Sequence, residues 1–232
     1  MKQNDIKTII NKFNKSNGIN DRYSSFDYCY NYFHPNNRNK IGDKEKSCLV
    51  LGFYLASWGM LRGSSVLLSK SIKHYEKTID YILNCDKSYW DIDVSNYNDE
   101  NIEKIIEIYR NVREKLIEDE KTTHKTLVTK VLLGVFGFIP AFDNNFITTF
   151  KQITNNECGF SVLKPDALKK PLNHIKKFYE ANKSDIDNIT IYTKDFSTEN
   201  ETNLRYSKAK IIDMYGFQKY LTLNKKEVLK EI

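Results

Sequence analysis

Apolar residues recur at three- and four-residue intervals along most of this chain, which is the spacing that one face of an α-helix requires. The clearest example is 99–118, where apolar side chains keep this interval while Glu and Lys occupy the outer face. Residues 44–62 are apolar on nearly every side, which predicts a helix at the centre of the core. Further helices are predicted over about 5–15, 25–33, 65–84, 123–134, 144–153, 166–182 and 204–221.

Few helix-breaking residues interrupt this pattern. The chain has 232 residues but only 9 Gly and 4 Pro, which favours long helices over a turn-rich β architecture. Residues 189–192 form the one short run that resembles a strand. The sequence therefore predicts an all-α fold of about nine helices in a single domain, 1–232, with a Gly/Pro hairpin near 134–143. A subdivision into halves of about 1–120 and 121–232 is the alternative.

Net charge and hydropathy indicate which cellular compartment and which kinds of partner to expect. Lys and Arg number 36 and Asp and Glu number 30, so the formal net charge is +6, which permits contact with nucleic acid without requiring it. The uncharged run 48–61 is too short to span a bilayer, and residues 1–15 lack the unbroken apolar core of a signal peptide. We therefore expect a soluble, cytoplasmic protein without a membrane partner, and its oligomeric state stays open.

The usual signatures of metal and cofactor chemistry are missing from the sequence. The four histidines form no H-x-x-x-H or H-E-x-x-H pair, and neither a G-x-S-x-G elbow nor a phosphate-binding glycine loop occurs. We therefore expect no cofactor and no metal. The four cysteines lie far apart beside apolar residues, so we expect them to be reduced and buried. They are Cys29, Cys48, Cys85 and Cys158.

The first segment that could carry chemistry is 51–65. One interpretation is structural: Arg62 ends a helix, and Gly63 is the residue that follows its C-cap. The other is functional, because an arginine guanidinium and the amides of two consecutive serines can bind an anion. In that interpretation a pocket for an anionic or aromatic ligand is lined by Trp58, Arg62, Ser64 and Ser65.

The second segment, 125–143, reads as a helix, a glycine-bearing hairpin, a proline and then an aspartate directly before another helix. Asp143 is well placed to cap the helix that begins at residue 144, and a structural role as N-cap is the simpler interpretation. Lys130 lies one apolar turn before the hairpin. It is either an amphipathic side chain that reaches solvent or the cation of a site.

This order of elements resembles the core of the helix-hairpin-helix DNA glycosylases, over residues 123–150 only. In that family the hairpin amides grip a DNA phosphate, and an aspartate on the next segment assists base excision. The resemblance implies that Gly134 and Gly137 match the hairpin glycines and that Asp143 matches the catalytic aspartate. The sequence departs from the family in three respects: two residues separate the glycines, the hairpin has no lysine, and no four-cysteine cluster follows.

The third segment, 206–218, places Asp213 among apolar residues. It is either paired with Lys210 at a helix edge, on the surface, or an inward carboxylate, and we expect the paired surface position. The whole chain also resembles a set of small helical bacterial proteins of unassigned function, a likeness that implies no mechanism.

Three classes of function remain open from the sequence. The first is a DNA-directed helical protein with a glycosylase-like scaffold, in which Asp143 and Lys130 excise a base in a bacterial defence or repair context. The many aromatic residues, 13% of the chain, are available for stacking. The second is a non-enzymatic helical module that binds another protein in a bacterial stress or phage-defence system. A small-ligand sensor built on 58–65 is a third possibility.

Overall fold

The computed structural model describes residues 5–15, 17–40, 43–63, 65–117 and 124–228. Within these ranges the chain forms ten α-helices, several short 3₁₀ turns and one two-stranded antiparallel sheet. The predicted all-α fold class is confirmed, because the sheet is a small addition to a helical body. None of the helices in this part of the chain is both long and apolar enough to cross a membrane.

The helices agree with the predicted ones in most places. Those predicted over 5–15, 25–33, 99–118 and 144–153 form with ends within two residues. In chain order the elements are α1 (Asp5–Lys15), α2 (Ser25–Phe33), α3 (Lys44–Ser57), α4 (Glu76–Asn84), α5 (Asp99–Leu116), α6 (Lys125–Phe136), α7 (Asn144–Ile153), α8 (Lys169–Ala181), α9 (Lys183–Asp187), β1 (Tyr192–Lys194), β2 (Glu201–Arg205) and α10 (Lys208–Val228).

The most deeply buried helix is α6, where every residue from Leu127 to Phe136 is buried. We predicted the central position for 44–62, and this prediction is wrong because α3 exposes Leu49 and Phe53, the latter at 66%. α2, α3 and α5 pack against α6, while α10 packs against α1 and α7. All four cysteines are buried thiols outside any disulfide, as predicted.

α3 ends earlier than predicted, and this changes the role of the residues that follow it. Its last turn closes at Trp58, whose N–H donates to the carbonyl of Tyr54, and Gly59 follows with φ +75°. The left-handed conformation that ends a helix therefore falls at Gly59 and not at Gly63. Arg62 consequently lies beyond the helix, in the connection to the next turn.

Residues 65–84 form less α-helix than predicted. Two 3₁₀ turns, Val66–Ser69 and Ile72–Tyr75, precede α4. Ser65 caps the first turn by accepting a hydrogen bond from the N–H of Leu67, and such local bonds compete with continuous helix.

The predicted Gly134–Pro140 hairpin does not form. Gly134 lies inside α6, and Gly137, with φ +76°, is the residue at which the helix ends. An irregular connection, 138–142, then leads to α7. The predicted assignment of Gly134 to a hairpin is therefore wrong, whereas Gly137 does lie at the turn between the two helices.

The C-terminal part contains a hairpin that was not predicted in full. β1 begins where the strand-like run 189–192 ends, and it pairs with β2, whose polar sequence gave no strand signal. Because β2 extends to Arg205, the closing helix begins at Lys208 and not at residue 204. Pro171 lies in the first turn of α8, where a missing N–H costs nothing.

Candidate functional site

A cavity of about 490 Å³ opens between the end of α3, α6, the first turn of α7 and α10. This size lies within the range of small-molecule sites, roughly 300–1,000 Å³. Three of its lining side chains are aromatic, namely Tyr23, Trp58 and Phe217, and their rings contact one another. The Tyr23 and Trp58 ring centroids lie 4.9 Å apart. The cavity therefore has an aromatic wall suited to a flat ring.

Asp143 and Lys130 lie together in the cavity wall. Asp143 is the N-cap of α7, as predicted: its Oδ1 accepts a hydrogen bond of 3.0 Å from the N–H of Phe146. Its Oδ2 lies 3.2 Å from the Nζ of Lys130, whose side chain is only 3% exposed. The Asp143 side chain is 20% exposed. The carboxylate therefore has one oxygen on the helix end and the other on a buried ammonium group.

The neighbouring helices fix both residues. The Thr129 hydroxyl donates to the carbonyl of Lys125 and accepts the N–H of Phe142, so the residue before Asp143 is tied to α6. The hydroxyl of Tyr54, fully buried on α3, donates to the carbonyl of Lys130 at 3.1 Å. Lys130 and Asp143 therefore face each other because α3 and α6 pack together and the connection 138–142 is bonded to α6.

Trp58 makes the closest contact between the aromatic wall and the charges. The Nζ of Lys130 lies 4.8 Å from the centroid of its ring, which is within cation–π distance. The indole nitrogen is buried and has no hydrogen-bond partner among the described residues.

Two exposed arginines line the same cavity. The Arg22 guanidinium lies 4.7 Å above the ring of Tyr23 and donates to its hydroxyl. The Arg62 guanidinium packs against Gly59, since a Cβ added there would lie 3.0 Å from Nε. Together with Lys130, three cationic side chains face one carboxylate among the described lining residues, so the cavity favours an anionic ligand.

A second ion pair lies behind the cavity. The Nζ of Lys210 lies 3.3 Å from Oδ2 of Asp213, and the two side chains are 2% and 5% exposed. Burial raises the pKa of Asp213 and lowers the pKa of Lys210. The predicted surface position of this pair is wrong: the residues are paired and they point inward, because every residue of α10 over 209–216 is buried.

A smaller cavity of about 230 Å³ lies beside the first and shares Tyr23 with it. Asp27 lines it and is buried, accepting hydrogen bonds from the hydroxyl of Tyr206 and from the N–H of Lys194. Burial raises the pKa of Asp27 despite these bonds. Lys210 lines this cavity as well, and its Nζ also contacts the ring of Trp58, which lines the first cavity.

The structure brings together four of the predicted site residues: Trp58, Arg62, Lys130 and Asp143. The others have different positions. Ser65 caps a 3₁₀ turn, Gly134 packs against Tyr54, Gly137 contacts Tyr30, and Asp213 lies behind the cavity. Ser64 lies outside the described residues.

Sequence reasoning missed Arg22, Tyr23 and Phe217. It named Lys210 only as the surface partner of Asp213, although Lys210 precedes an apolar run on α10 just as Lys130 interrupts one on α6. Arg22 and Tyr23 belong to a short 3₁₀ turn without periodicity, and only packing brings them to the cavity.

In the part of the chain that the structure describes, no group of three or more His, Cys, Asp or Glu side chains is arranged to hold a metal ion. The sequence matches no family model, and comparison with curated proteins and with solved structures gives no significant match.

Proposed function

We propose that the protein is a DNA-directed hydrolase that removes a base from its sugar in the cavity between α6 and α7. The observation that carries this proposal is the Lys130–Asp143 pair, with 3.2 Å between Nζ and Oδ2, in the wall of an aromatic-lined cavity. A proton donor and a carboxylate beside a flat-ring site are the two groups that hydrolysis of an N-glycosidic bond uses.

The cavity suits a base that has left the helical stack. Enzymes that act on a base take it out of the duplex or use a single strand, and they hold the base by stacking and by hydrogen bonds to its edge. Tyr23, Trp58 and Phe217 supply rings, while Lys130 and Asp143 supply a donor and an acceptor. These groups recognise any nucleobase, so the proposal leaves the identity of the base to experiment.

In the proposed reaction the bond between sugar and base breaks, and its electron pair leaves with the base. Lys130 donates a proton to the departing base, and the oxygen of a water molecule bonds to the sugar carbon. Asp143 stabilises the positive charge that develops on the sugar and accepts the proton that the water loses. That proton returns to Lys130 across the 3.2 Å contact, so the sum is the addition of water across the bond.

The test uses oligonucleotides, single-stranded and paired, that each carry one uracil, hypoxanthine, 8-oxoguanine or hydroxymethylcytosine residue. We expect the free base of at least one of them in the mass spectrum, with strand cleavage in hot alkali at the same position. Fluorescence anisotropy at low and moderate salt measures binding separately, since phosphate contacts make affinity fall steeply with salt. Absence of both base release and salt-dependent binding contradicts the proposal.

The two exposed arginines are proposed to bind phosphates beside the extracted base. The double variant R22A/R62A is expected to weaken binding and to reduce the slope of log affinity against log salt by about 1–2, because each lost phosphate contact removes about one unit. Arg110 is the matched control: it is an exposed arginine paired with Asp166, away from the cavity. If R110A changes the slope as much as R22A/R62A does, the salt dependence comes from the overall charge of the protein and not from phosphate contacts at the cavity.

A second candidate function is binding to another protein without catalysis, and the exposed apolar face of α3 favours it. Leu49 and Phe53 are one turn apart and are 48% and 66% exposed. Contiguous exposed apolar surface marks protein-binding sites.

If the partner is a second copy of the chain, this second candidate predicts self-association through α3. F53D is then expected to lower the molar mass measured by light scattering at high protein concentration, because a charge cannot be buried without a partner. The control is F196D, since Phe196 is 77% exposed on the connection between the strands. A molar mass that is unchanged by F53D, or equally lowered by F196D, contradicts self-association through this face.

A further inference from the structure

The Lys210–Asp213 pair is buried where an ion pair is difficult to explain by stability. Desolvation of two charges offsets most of their attraction, and replacing a buried pair by apolar side chains of similar volume is often neutral or stabilising. Both side chains are no more than 5% exposed, and apolar residues surround them on α10. The reason for burying this ion pair is therefore sought in the residues that it contacts.

Asp213 holds the segment that carries Asp143. While its Oδ2 faces Lys210, its Oδ1 accepts a hydrogen bond of 3.0 Å from the N–H of Ala141. The next amide, that of Phe142, donates to the hydroxyl of Thr129 at 2.8 Å. Two consecutive amides are thus bonded to side chains of two different helices, α10 and α6, immediately before Asp143. These bonds determine the direction in which the chain enters the cavity wall.

Lys210 holds the aromatic wall. Its Nζ lies 4.7 Å from the ring centroid of Trp58 and 4.4 Å from that of Phe26. Lys130 lies 4.8 Å from the same Trp58 ring, so two ammonium groups contact one indole. Cation–π attraction is strongest where the cation is desolvated, as both of these are. The position of Trp58 therefore depends on Lys210 as well as on Lys130.

We propose that Lys210 and Asp213 are positioning residues for the reaction in the cavity: Asp213 fixes the path to Asp143, and Lys210 fixes Trp58. The proposal rests on the proposed function, because it concerns the same site. Neither residue touches the reacting atoms. The effect of losing them is a displaced carboxylate and a displaced ring, and a displacement of about 1 Å at a reacting group costs about 100-fold in rate.

The test replaces the pair by apolar side chains of similar size, K210M/D213L. We expect kcat for base release to fall about 100-fold while KM changes less than about threefold, because the loss affects the transition state more than binding. The free energy of unfolding in urea is expected to stay near that of the wild type. K210M/D213N keeps an oxygen for the Ala141 N–H but not the cation on Trp58, so it is expected to recover only part of the rate.

The matched control is T149V, which removes a buried hydrogen bond from α7 to the carbonyl of Gly216 on α10. It is expected to leave kcat unchanged, because Thr149 does not reach the cavity. A folded K210M/D213L variant with wild-type kcat overturns the proposal, and so does a T149V variant that loses as much rate.

An independent readout separates this inference from the proposed function. Trp58 and Trp90 are the two tryptophans, and W90F leaves Trp58 as the single emitter. In this background K210M/D213L is expected at least to double the constant for acrylamide quenching, because the ring loses one of its two cations. If the wild type releases no base, the proposed function fails, but the quenching measurement still tests whether Lys210 and Asp213 position Trp58. Unchanged quenching in the folded variant overturns this positioning role. Increased quenching supports it.

Discussion

Replacement of Asp143 by Asn is expected to lower kcat for base release by about 10²–10⁴-fold, the range of a lost general base or acid, while the protein stays folded. Asn caps a helix about as well as Asp, so the bond to the N–H of Phe146 survives. What disappears is the negative charge that, in the proposed reaction, faces the sugar and accepts the water proton. The measurement is kcat per folded molecule, with the folded fraction taken from urea unfolding.

Asp43 supplies the control for this variant, because it has the same capping role without the cavity. It is the N-cap of α3 and its carboxylate accepts a hydrogen bond from the N–H of Lys46. D43N is expected to change stability by a few tenths of a kcal/mol and activity not at all. If D143N leaves activity per folded molecule unchanged, Asp143 has only a structural role, as helix cap and as partner of Lys130.

The charge left on Lys130 complicates the stability of D143N, and a double variant resolves it. Lys130 is buried, so loss of its carboxylate partner leaves an ammonium group with the Trp58 ring and the charge of Asp213 as its remaining partners. An uncompensated buried charge is strongly destabilising. K130M/D143N removes this charge and is expected to recover stability without recovering activity. Recovery of both would show that neither side chain takes part in the reaction.

Features that depend only on neighbouring residues could be predicted from the sequence. An N-cap needs only a short polar side chain directly before a helix, so the capping role of Asp143 could be assigned from its neighbours alone. Lys130 pairs with Asp143 only because the connection 138–142 packs back against α6. The hydrogen bond from the Phe142 N–H to the Thr129 hydroxyl holds it there. No periodicity in the sequence specifies that bond.

Two sequence-based predictions, the surface position of the Lys210–Asp213 pair and the place of Gly134 in a hairpin, were wrong for the same reason. In each case one local sequence pattern is compatible with two different three-dimensional positions. Spacing of three residues correctly paired Lys210 with Asp213, but such pairs are usually solvated, and only the packing of α10 against α1 and α7 places this one inside. Glycine is likewise ambiguous. Gly137 is needed for its positive φ, while Gly134, three residues earlier, is needed for lack of a side chain.

The second large effect is expected from a side chain at Gly134, where the backbone of α6 lies close to Tyr54, and it is a loss of stability. A Cβ at Gly134 would lie 2.5 Å from Cζ and 2.9 Å from Cδ1 of Tyr54, and it would also overlap Cε1. Tyr54 is fully buried, so its ring has no free space to enter. G134A is therefore expected to lower the free energy of unfolding by about 2–3 kcal/mol, although Ala is the better helix former. The melting temperature should fall by roughly 4–10 °C.

G159A is the matched control, because a Cβ there meets nothing within 4 Å, and its effect should stay within about 0.5 kcal/mol. A double-mutant cycle identifies the cause: in a Y54A background G134A should be neutral or stabilising, and the difference is the interaction energy between the two sites. Equal destabilisation in both backgrounds contradicts the clash. Because Tyr54 also donates to the carbonyl of Lys130, a ring displaced by G134A also shifts Lys130, the proposed proton donor. G134A is therefore expected to lower activity per folded molecule as well, whereas G159A is not.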